Sequence, residues 1–303
     1  MKLKITKKIP DFYIVGAAKS GTTSLWHHFG KHPQIFMTKD IAHKELGFFC
    51  NNHGLNSLEQ YTLHFKNALD YQIIGEVCHS YLSSPESAGM IYKYNPNSKI
   101  IIILRNPVER AYSLYNWMVA EGYEYASNFE KALQLEKIRI EKGVFRNSTI
   151  FPIYFRNYGY YSSGLYSEQI KRYLDVFGKN KCLIILFEDM KADLDSTYSK
   201  ISSFLEISKK FSFKKDIQNE SKSVKLPSLQ YHLRHNSKTI ARKFLVPDTI
   251  SKRLVGSLKN WNTIDKKPKK INEITKKMLQ NKYEKDIRET GRLINRDTSI
   301  WLK

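Results

Sequence analysis

Residues 11–29 read DFYIVGAAKSGTTSLWHHF, and this stretch decides the fold. The run Phe12, Tyr13, Ile14, Val15 is apolar without alternation and ends at Gly16, as a strand buried on both faces does. A loop of small and hydroxyl residues follows, with Lys19 inside it, and a helical pattern begins at Thr23. A strand, a glycine-bounded loop and a helix N-terminus together make an anion site, because backbone N–H groups converge there and the helix dipole adds positive charge. Lys19 contributes a full charge, Thr22, Thr23 and Ser24 contribute hydroxyl donors, and Ser20 and Gly21 complete the candidate phosphate cradle. The alternative is a plain strand-to-helix turn rich in small residues.

The order Gly16-Ala-Ala-Lys-Ser-Gly21-Thr22-Thr23 is close to the Walker A pattern G-x-x-x-x-G-K-[ST] but departs from it where it matters. Thr22 stands where an ATPase has its lysine, and the lysine has moved to Lys19. Such a loop suits a nucleotide with a single 5′ arm better than the β/γ-phosphates of ATP.

Outward from this loop, residues 34–37 form a short extended piece. His43-Lys-Glu-Leu-Gly-Phe-Phe49 follows, placing Glu45 before a pair of phenylalanines. Spacing alone leaves Glu45 either a candidate general base, its pKa raised by burial beside aromatics, or an exposed glutamate at a helix start. Residues 73–77 form a second strand. Lys99-Ile-Ile-Ile-Ile-Leu104 is a third, β-branched and buried on both faces. It delivers Arg105 to its C-terminal end, where ligands of open α/β sheets bind, and Pro107 opens a helix over 108–119 that carries Ser113. Arg105 and Ser113 make a second anion site, since a guanidinium forks onto phosphate bidentately. The alternative role for Arg105 is a surface ion pair.

GAAKSGTTSL and ILRNPVERAYSLY resemble the 5′-phosphosulfate loop and the 3′-phosphate site of sulfotransferases that use PAPS (3′-phosphoadenosine 5′-phosphosulfate). KHPQIFM followed by KELGFF resembles the HP…KE-x-x-FF segment of the heparan-sulfate-type and bacterial carbohydrate branch. In that branch the glutamate is the catalytic base, which falls on Glu45. GEVCHSYL resembles the branch's GE-x-x-P-x-YL but has Val77 where a lysine is frequent and His79 where a proline is usual. Residues 163–166, 184–189 and 295–301 resemble the family's later segments. The likeness is strongest over 11–118 and fades over 120–160 and 206–270.

The resemblance implies an α/β fold with a P-loop-like central parallel β-sheet flanked by helices on both faces. It also implies one sulfotransferase domain over 1–303, with a nucleotide-binding core at about 8–205 and a basic, mostly helical part at about 206–303. The implied reaction moves the sulfuryl group of PAPS in line to an acceptor hydroxyl, on a carbohydrate. Glu45 is the base, with His43 next in line, and Lys19 meets the charge on the leaving oxygen. Lys19, Ser20, Gly21, Thr22, Thr23, Ser24, Arg105 and Ser113 hold the donor, and no metal is expected. A small natural-product alcohol is the alternative acceptor. A P-loop kinase or NTPase is the alternative enzyme, opposed by the displaced lysine and the lack of clear Mg²⁺ ligands.

Of the chain's 303 residues, 41% are hydrophobic and 26% charged, which places it among globular rather than disordered chains. No run reaches the ~18 apolar residues of a membrane span, and the basic N-terminus lacks the apolar core of a signal peptide. Cys50, Cys78 and Cys182 cannot all pair and have no metal-ligand spacing, which points to reduced thiols and a cytoplasmic protein. In such a protein the glycosylation-type sites at Asn147 and Asn219 carry no meaning. The net charge is +21, and residues 206–303 hold 25 Lys+Arg against 10 Asp+Glu, or +15 of it. That part suits peripheral contact with an anionic glycan or a membrane surface, or is simply a solvated lysine-rich face. No nucleic-acid motif is present, so a basic nucleic-acid binder rests on charge alone. Lys266-Lys-Pro-Lys-Lys270 is its densest cluster, and in the carbohydrate branch a basic loop of this region closes over the nucleotide's 3′ end. The aromatic segment 151–161 fits either a sugar-binding cleft or the core.

Overall fold

The computed structural model describes residues 8–40, 44–50, 55, 57–142, 155–208, 223–235, 248–264 and 268–303. His43, residues 151–154, Lys266, Lys267, Asn147 and Asn219 lie outside them. Strands β1 (Phe12–Gly16), β2 (Ile35–Phe36), β3 (Ile73–Val77), β4 (Lys99–Leu104) and β5 (Cys182–Leu186) form one sheet in the order β2-β3-β1-β4-β5, with every neighbouring pair parallel. The helices are α1 (Thr22–Phe29), α2 (Leu58–Leu63), α3 (Ser80–Ser83), α4 (Ser87–Tyr94), α5 (Pro107–Ala120), α6 (Phe129–Glu141), α7 (Tyr166–Phe177), α8 (Phe187–Ala192), α9 (Leu194–Leu205), α10 (Pro227–His235), α11 (Asp248–Asn262) and α12 (Glu273–Ile294).

The unbroken apolar strands sit where such runs must, between two helical layers. Tyr13, Val15, Ile100, Ile102 and Leu104 point into one apolar cluster, shared with α4, α5, α7 and α12. Phe12, Ile14, Ile101 and Ile103 point into the other, shared with α1 and α9. The sheet and its two helical layers match the expected α/β architecture.

The chain runs from β1 outward to β2, returns through β3, and then crosses to β4 on the other side of β1. The strand order therefore reverses between β1 and β4, and a crevice opens there at the strands' carboxyl ends. Gly16 pairs with Ile102, and Ala17 N–H donates to the Ile103 carbonyl at 2.7 Å, so both strands end at one level. The loops carrying Lys19 and Arg105 leave side by side.

The described C-terminal part is mostly helical and adds one small sheet. Two-residue strands β6 (Ser223–Val224) and β7 (Thr263–Ile264) pair antiparallel. Asn262, fully buried, joins α11 to the start of α10: its Oδ1 accepts from Leu226 N–H at 2.9 Å and its Nδ2 donates to the Leu226 carbonyl at 3.0 Å. Leu279, Tyr283 and Ile287 of α12 enter the first apolar cluster.

Of the aromatic segment, Tyr158 and Tyr160 are buried and Tyr161 packs on Tyr283 with ring centroids 4.7 Å apart. Tyr160 Oη donates to Glu124 at 2.7 Å and Tyr158 Oη to the Tyr123 carbonyl at 2.9 Å. Tyr158 and Tyr160 of that segment are thus core.

Candidate active site

The phosphate loop is shaped by two residues of positive φ, Lys19 at 65° and Gly21 at 87°. Gly21 is required there. A Cβ would lie 2.4 Å from Met190 Cε, in a backbone conformation that side chains disfavour. Gly21 occupies the N-cap position of α1 without a side-chain cap, and the first turn has no acidic residue. The helix N–H groups therefore stay available to an anion. Ser20 is fully buried beneath the loop, and its Oγ has no partner among the described residues.

Arg105 leaves the end of β4 and meets this loop. Its Nη1 donates to the Lys19 carbonyl at 3.1 Å, its Nη2 to Glu109 at 3.1 Å, and its plane lies 5.0 Å from the Phe187 ring centroid. The buried Nε has no partner among the described residues. The ion pair foreseen as the alternative role for Arg105 thus exists, but beside the phosphate loop. Asn106 caps α5 through Oδ1 to Val108 N–H at 3.0 Å, and its own N–H donates to Glu188 at 2.9 Å. Ser113 follows Glu109 by one helical turn, so both occupy one face of α5. Next to it, Tyr112 Oη donates to the Lys269 carbonyl at 2.8 Å, bringing the described end of the basic cluster to this face.

Lys19 Nζ lies 5.5 Å from the Trp117 ring centroid. Burial, with the charges of Lys44 and Arg105 beside it, brings its ammonium down to about 8. Three cations thus crowd one crevice, an arrangement that favours a multiply charged anion.

Glu45 is held from both sides. Lys44 Nζ donates to its Oε1 at 2.7 Å and to Thr23 Oγ1 at 2.9 Å, bridging the carboxylate to the start of α1. His79 Nδ1 lies 2.6 Å from Oε2. The expectation that burial would raise this carboxyl is corrected. Burial does push it up, but His79 and Lys44 outweigh that push and hold it well below the usual carboxylate range. The carboxylate is not fully exposed either: its side chain keeps 21% of its accessible surface.

The loop carrying Glu45 is anchored by its paired phenylalanines. Phe49 is fully buried against Tyr13, Tyr61 and Tyr81, and its carbonyl accepts from Ser87 Oγ at 2.8 Å. Phe48 stacks on Tyr61 at 4.7 Å. Tyr61 and Tyr81 donate to buried Glu76 at 2.5 and 2.6 Å, which gives the GE segment its role as a polar anchor in the core.

The structure thus brings Lys19, Ser20, Gly21, Thr22, Thr23, Ser24, Arg105, Ser113 and Glu45 to the carboxyl end of the sheet. Sequence reasoning missed Lys44, His79 and Asn157. The departure at position 79 was visible as an anomaly, but its partner was not. His79 Nε2 lies 2.9 Å from Asn157 Oδ1, and Ala17, Ala18, Gln169 and both these residues line a narrow pocket with room for little more than a water. A wider groove at the C-terminal end of α12, lined by Arg292 and Arg296, holds none of these residues.

A family model described as the sulfotransferase domain matches residues 9–286. The membrane-associated sulfotransferase kil1 of Dictyostelium discoideum is 25% identical over 269 residues, covering 66% of this chain and 56% of that protein. The bifunctional heparan sulfate N-deacetylase/N-sulfotransferase 1 of Caenorhabditis briggsae is 27% identical over 207 residues, covering 66% of this chain and 23% of that protein. Human carbohydrate sulfotransferase 15 is 26% identical over 252 residues, covering 66% and 44%. The chain therefore spans between about a quarter and just over half the length of these relatives. Among solved structures, a sulfotransferase from Alicyclobacillus acidocaldarius superposes with a TM-score of 0.71 at 27% identity, covering 98% of this chain and all of that one.

Proposed function

This chain belongs to the sulfotransferase family, and from that premise we propose that it transfers the sulfuryl group of PAPS to a hydroxyl on a carbohydrate. The observation that carries the reading is the convergence of Lys19, Lys44 and Arg105 at the crevice between β1 and β4, opposite the carboxylate of Glu45. The donor fits the residues present: the uncapped N-terminus of α1 and the orphaned polar atoms Ser20 Oγ and Arg105 Nε are groups that an anion would satisfy. Bound there, PAPS would supply the activated sulfuryl group. The loop amides, with Thr22, Thr23 and Ser24, hold the 5′-phosphate. Arg105 and Ser113 take the 3′-phosphate. Lys19 meets the charge growing on the leaving phosphate oxygen, as preorganised donors do in other group transfers. Glu45 takes the proton of the attacking hydroxyl. One domain over 1–303 carries these parts.

The acceptor class draws support from the names of the relatives, which include heparan sulfate and carbohydrate sulfotransferases. The basic part over 206–303 would make peripheral contact with an anionic glycan or a membrane surface. Ile250, Leu254, Leu258 and Trp261 support this, since they share the outward face of α11, and one relative is described as membrane-associated. No helix among the described residues is long and apolar enough to cross a membrane.

The test is incubation with radiolabelled PAPS and a panel of heparosan, N-deacetylated heparosan, chondroitin and simple alcohols. Label transfer to a glycan is expected. Magnesium-dependent ATP hydrolysis without any response to PAPS would reject the reading.

Two further results are expected from binding alone. Arg105→Ala weakens adenosine 3′,5′-diphosphate by about 10- to 100-fold, the worth of charge-assisted hydrogen bonds of roughly 1.5–3 kcal/mol, and leaves AMP nearly unchanged. Equal losses by calorimetry would remove Arg105 from the 3′-phosphate. The affinity for the same diphosphate is steady below pH 8 and falls above it. Lys19 is charged below its value of about 8 and loses that charge above it. Lys19→Arg, which stays charged, abolishes the fall.

A further inference from the structure

A carboxylate pulled well below its usual range is a weak proton acceptor, yet Glu45 has its two oxygens engaged by Lys44 and His79. His79 holds the more unusual of these contacts. Its Nδ1 is 2.6 Å from Glu45 Oε2, and its Nε2 is 2.9 Å from Asn157 Oδ1. Asn157 is buried, and its Oδ1, turned to the ring, can only accept, which favours hydrogen on Nε2. A ring nitrogen 2.6 Å from a carboxylate oxygen needs a proton between them. The Glu45–His79 pair therefore has the geometry to seat one shared proton between Oε2 and Nδ1.

We propose that this shared proton is the one the reaction delivers: Glu45 and His79 act as a single base whose proton seat lies between Oε2 and Nδ1, with the tautomer set by Asn157. In the reactive form the seat is empty. The acceptor's O–H bond breaks as its oxygen bonds to sulfur, the proton passes through Glu45 into the seat, and the S–O bond's electron pair leaves with the 5′-phosphate. The proton then returns to water. His79 touches neither donor nor acceptor in this scheme and is a positioning residue that acts through Glu45. The inference rests on Glu45 being the base.

The groups around the pair fit this role. Lys44 fixes the other carboxylate oxygen and remains tied to Thr23. Lys19, on the phosphate loop, feels the charge of Glu45. Arg172 of α7 faces the Leu82 carbonyl behind His79, at 3.1 Å. Cys78, next in the chain, is pushed well above the usual thiol range by burial and stays neutral. Two groups that share a proton titrate as a pair, and the pair's basicity is that of neither residue alone.

The first arm of the test needs no acceptor, and the turnover arm uses the acceptor that the labelled-PAPS panel identifies. Protein labelled with ¹⁵N-histidine and saturated with adenosine 3′,5′-diphosphate is titrated by NMR from pH 5 to 9, with His79 assigned by its absence in His79→Gln. Nε2 is expected to carry hydrogen at every pH, and the Nδ1 proton is expected far downfield where it is seen, as a proton shared with a carboxylate is; in Glu45→Gln that downfield resonance is lost. An Nε2 without hydrogen, or a downfield Nδ1 proton that persists in Glu45→Gln, overturns the shared seat. In turnover of PAPS, followed as release of the diphosphate, His79→Gln and His79→Ala both lose about tenfold or more in kcat with KM for PAPS unchanged. Full activity in His79→Gln, whose amide still donates to Glu45, would reduce His79 to a structural prop. Failure to bind the diphosphate at all would instead reject the PAPS reading, whatever the NMR titration gives.

Discussion

Glu45→Gln lowers kcat by a factor of ~10² or more while the affinity for adenosine 3′,5′-diphosphate stays within a few fold. The substitution keeps the side chain's size and an oxygen to accept from Lys44, but removes the ability to accept a proton. Lys44 keeps its bond to Thr23 Oγ1, so the phosphate loop is undisturbed. Loss in turnover with binding intact is what removal of a proton acceptor gives, whereas damage to the donor site would weaken both. Rapid-quench measurement of a single turnover, paired with calorimetry, separates these outcomes. Near-normal turnover would place the base elsewhere.

Lys19→Met has an effect of similar size and a second signature. Removing the ammonium that faces the leaving oxygen is expected to cost about 10²–10³ in kcat, the scale found for single preorganised donors. The same change removes a buried charge that burial, Lys44 and Arg105 all disfavour. The melting temperature should therefore hold or rise as activity falls, which is how a site that stores unfavourable electrostatics for function behaves. Met also retains the length to reach Trp117. A variant that lost stability along with activity would make Lys19 a structural residue.

Strands β1 and β4 were legible because they are covered on both faces and therefore read as unbroken apolar runs, and α1 and α5 because each follows such a run at a marked start, the glycine-bounded loop and Pro107. The two anion sites could be placed at strand ends. That they form one crevice could not be read from either segment, since it depends on β4 lying beside β1 and not beyond β3. Glu45 was found through its motif, but its electrostatics were misjudged. Lys44 was visible beside it, whereas His79 lies far along the chain and reaches it only because β3 ends next to the phosphate loop. The aromatic segment near Tyr160 invited a ligand-binding role, yet its rings face Glu124 and Tyr283 in the core. Strands β6 and β7 have two residues each, too few to carry any period, and are joined through the side chain of Asn262.

The most direct measurement is a crystal structure with adenosine 3′,5′-diphosphate. The nucleotide is expected to span the β1–β4 crevice, its 5′-phosphate on the N-terminus of α1 against Lys19 and its 3′-phosphate against Arg105 and Ser113. Absence of nucleotide between Lys19 and Arg105 in crystals soaked well above the measured dissociation constant, or a nucleotide seated at another edge of the sheet, would contradict the account.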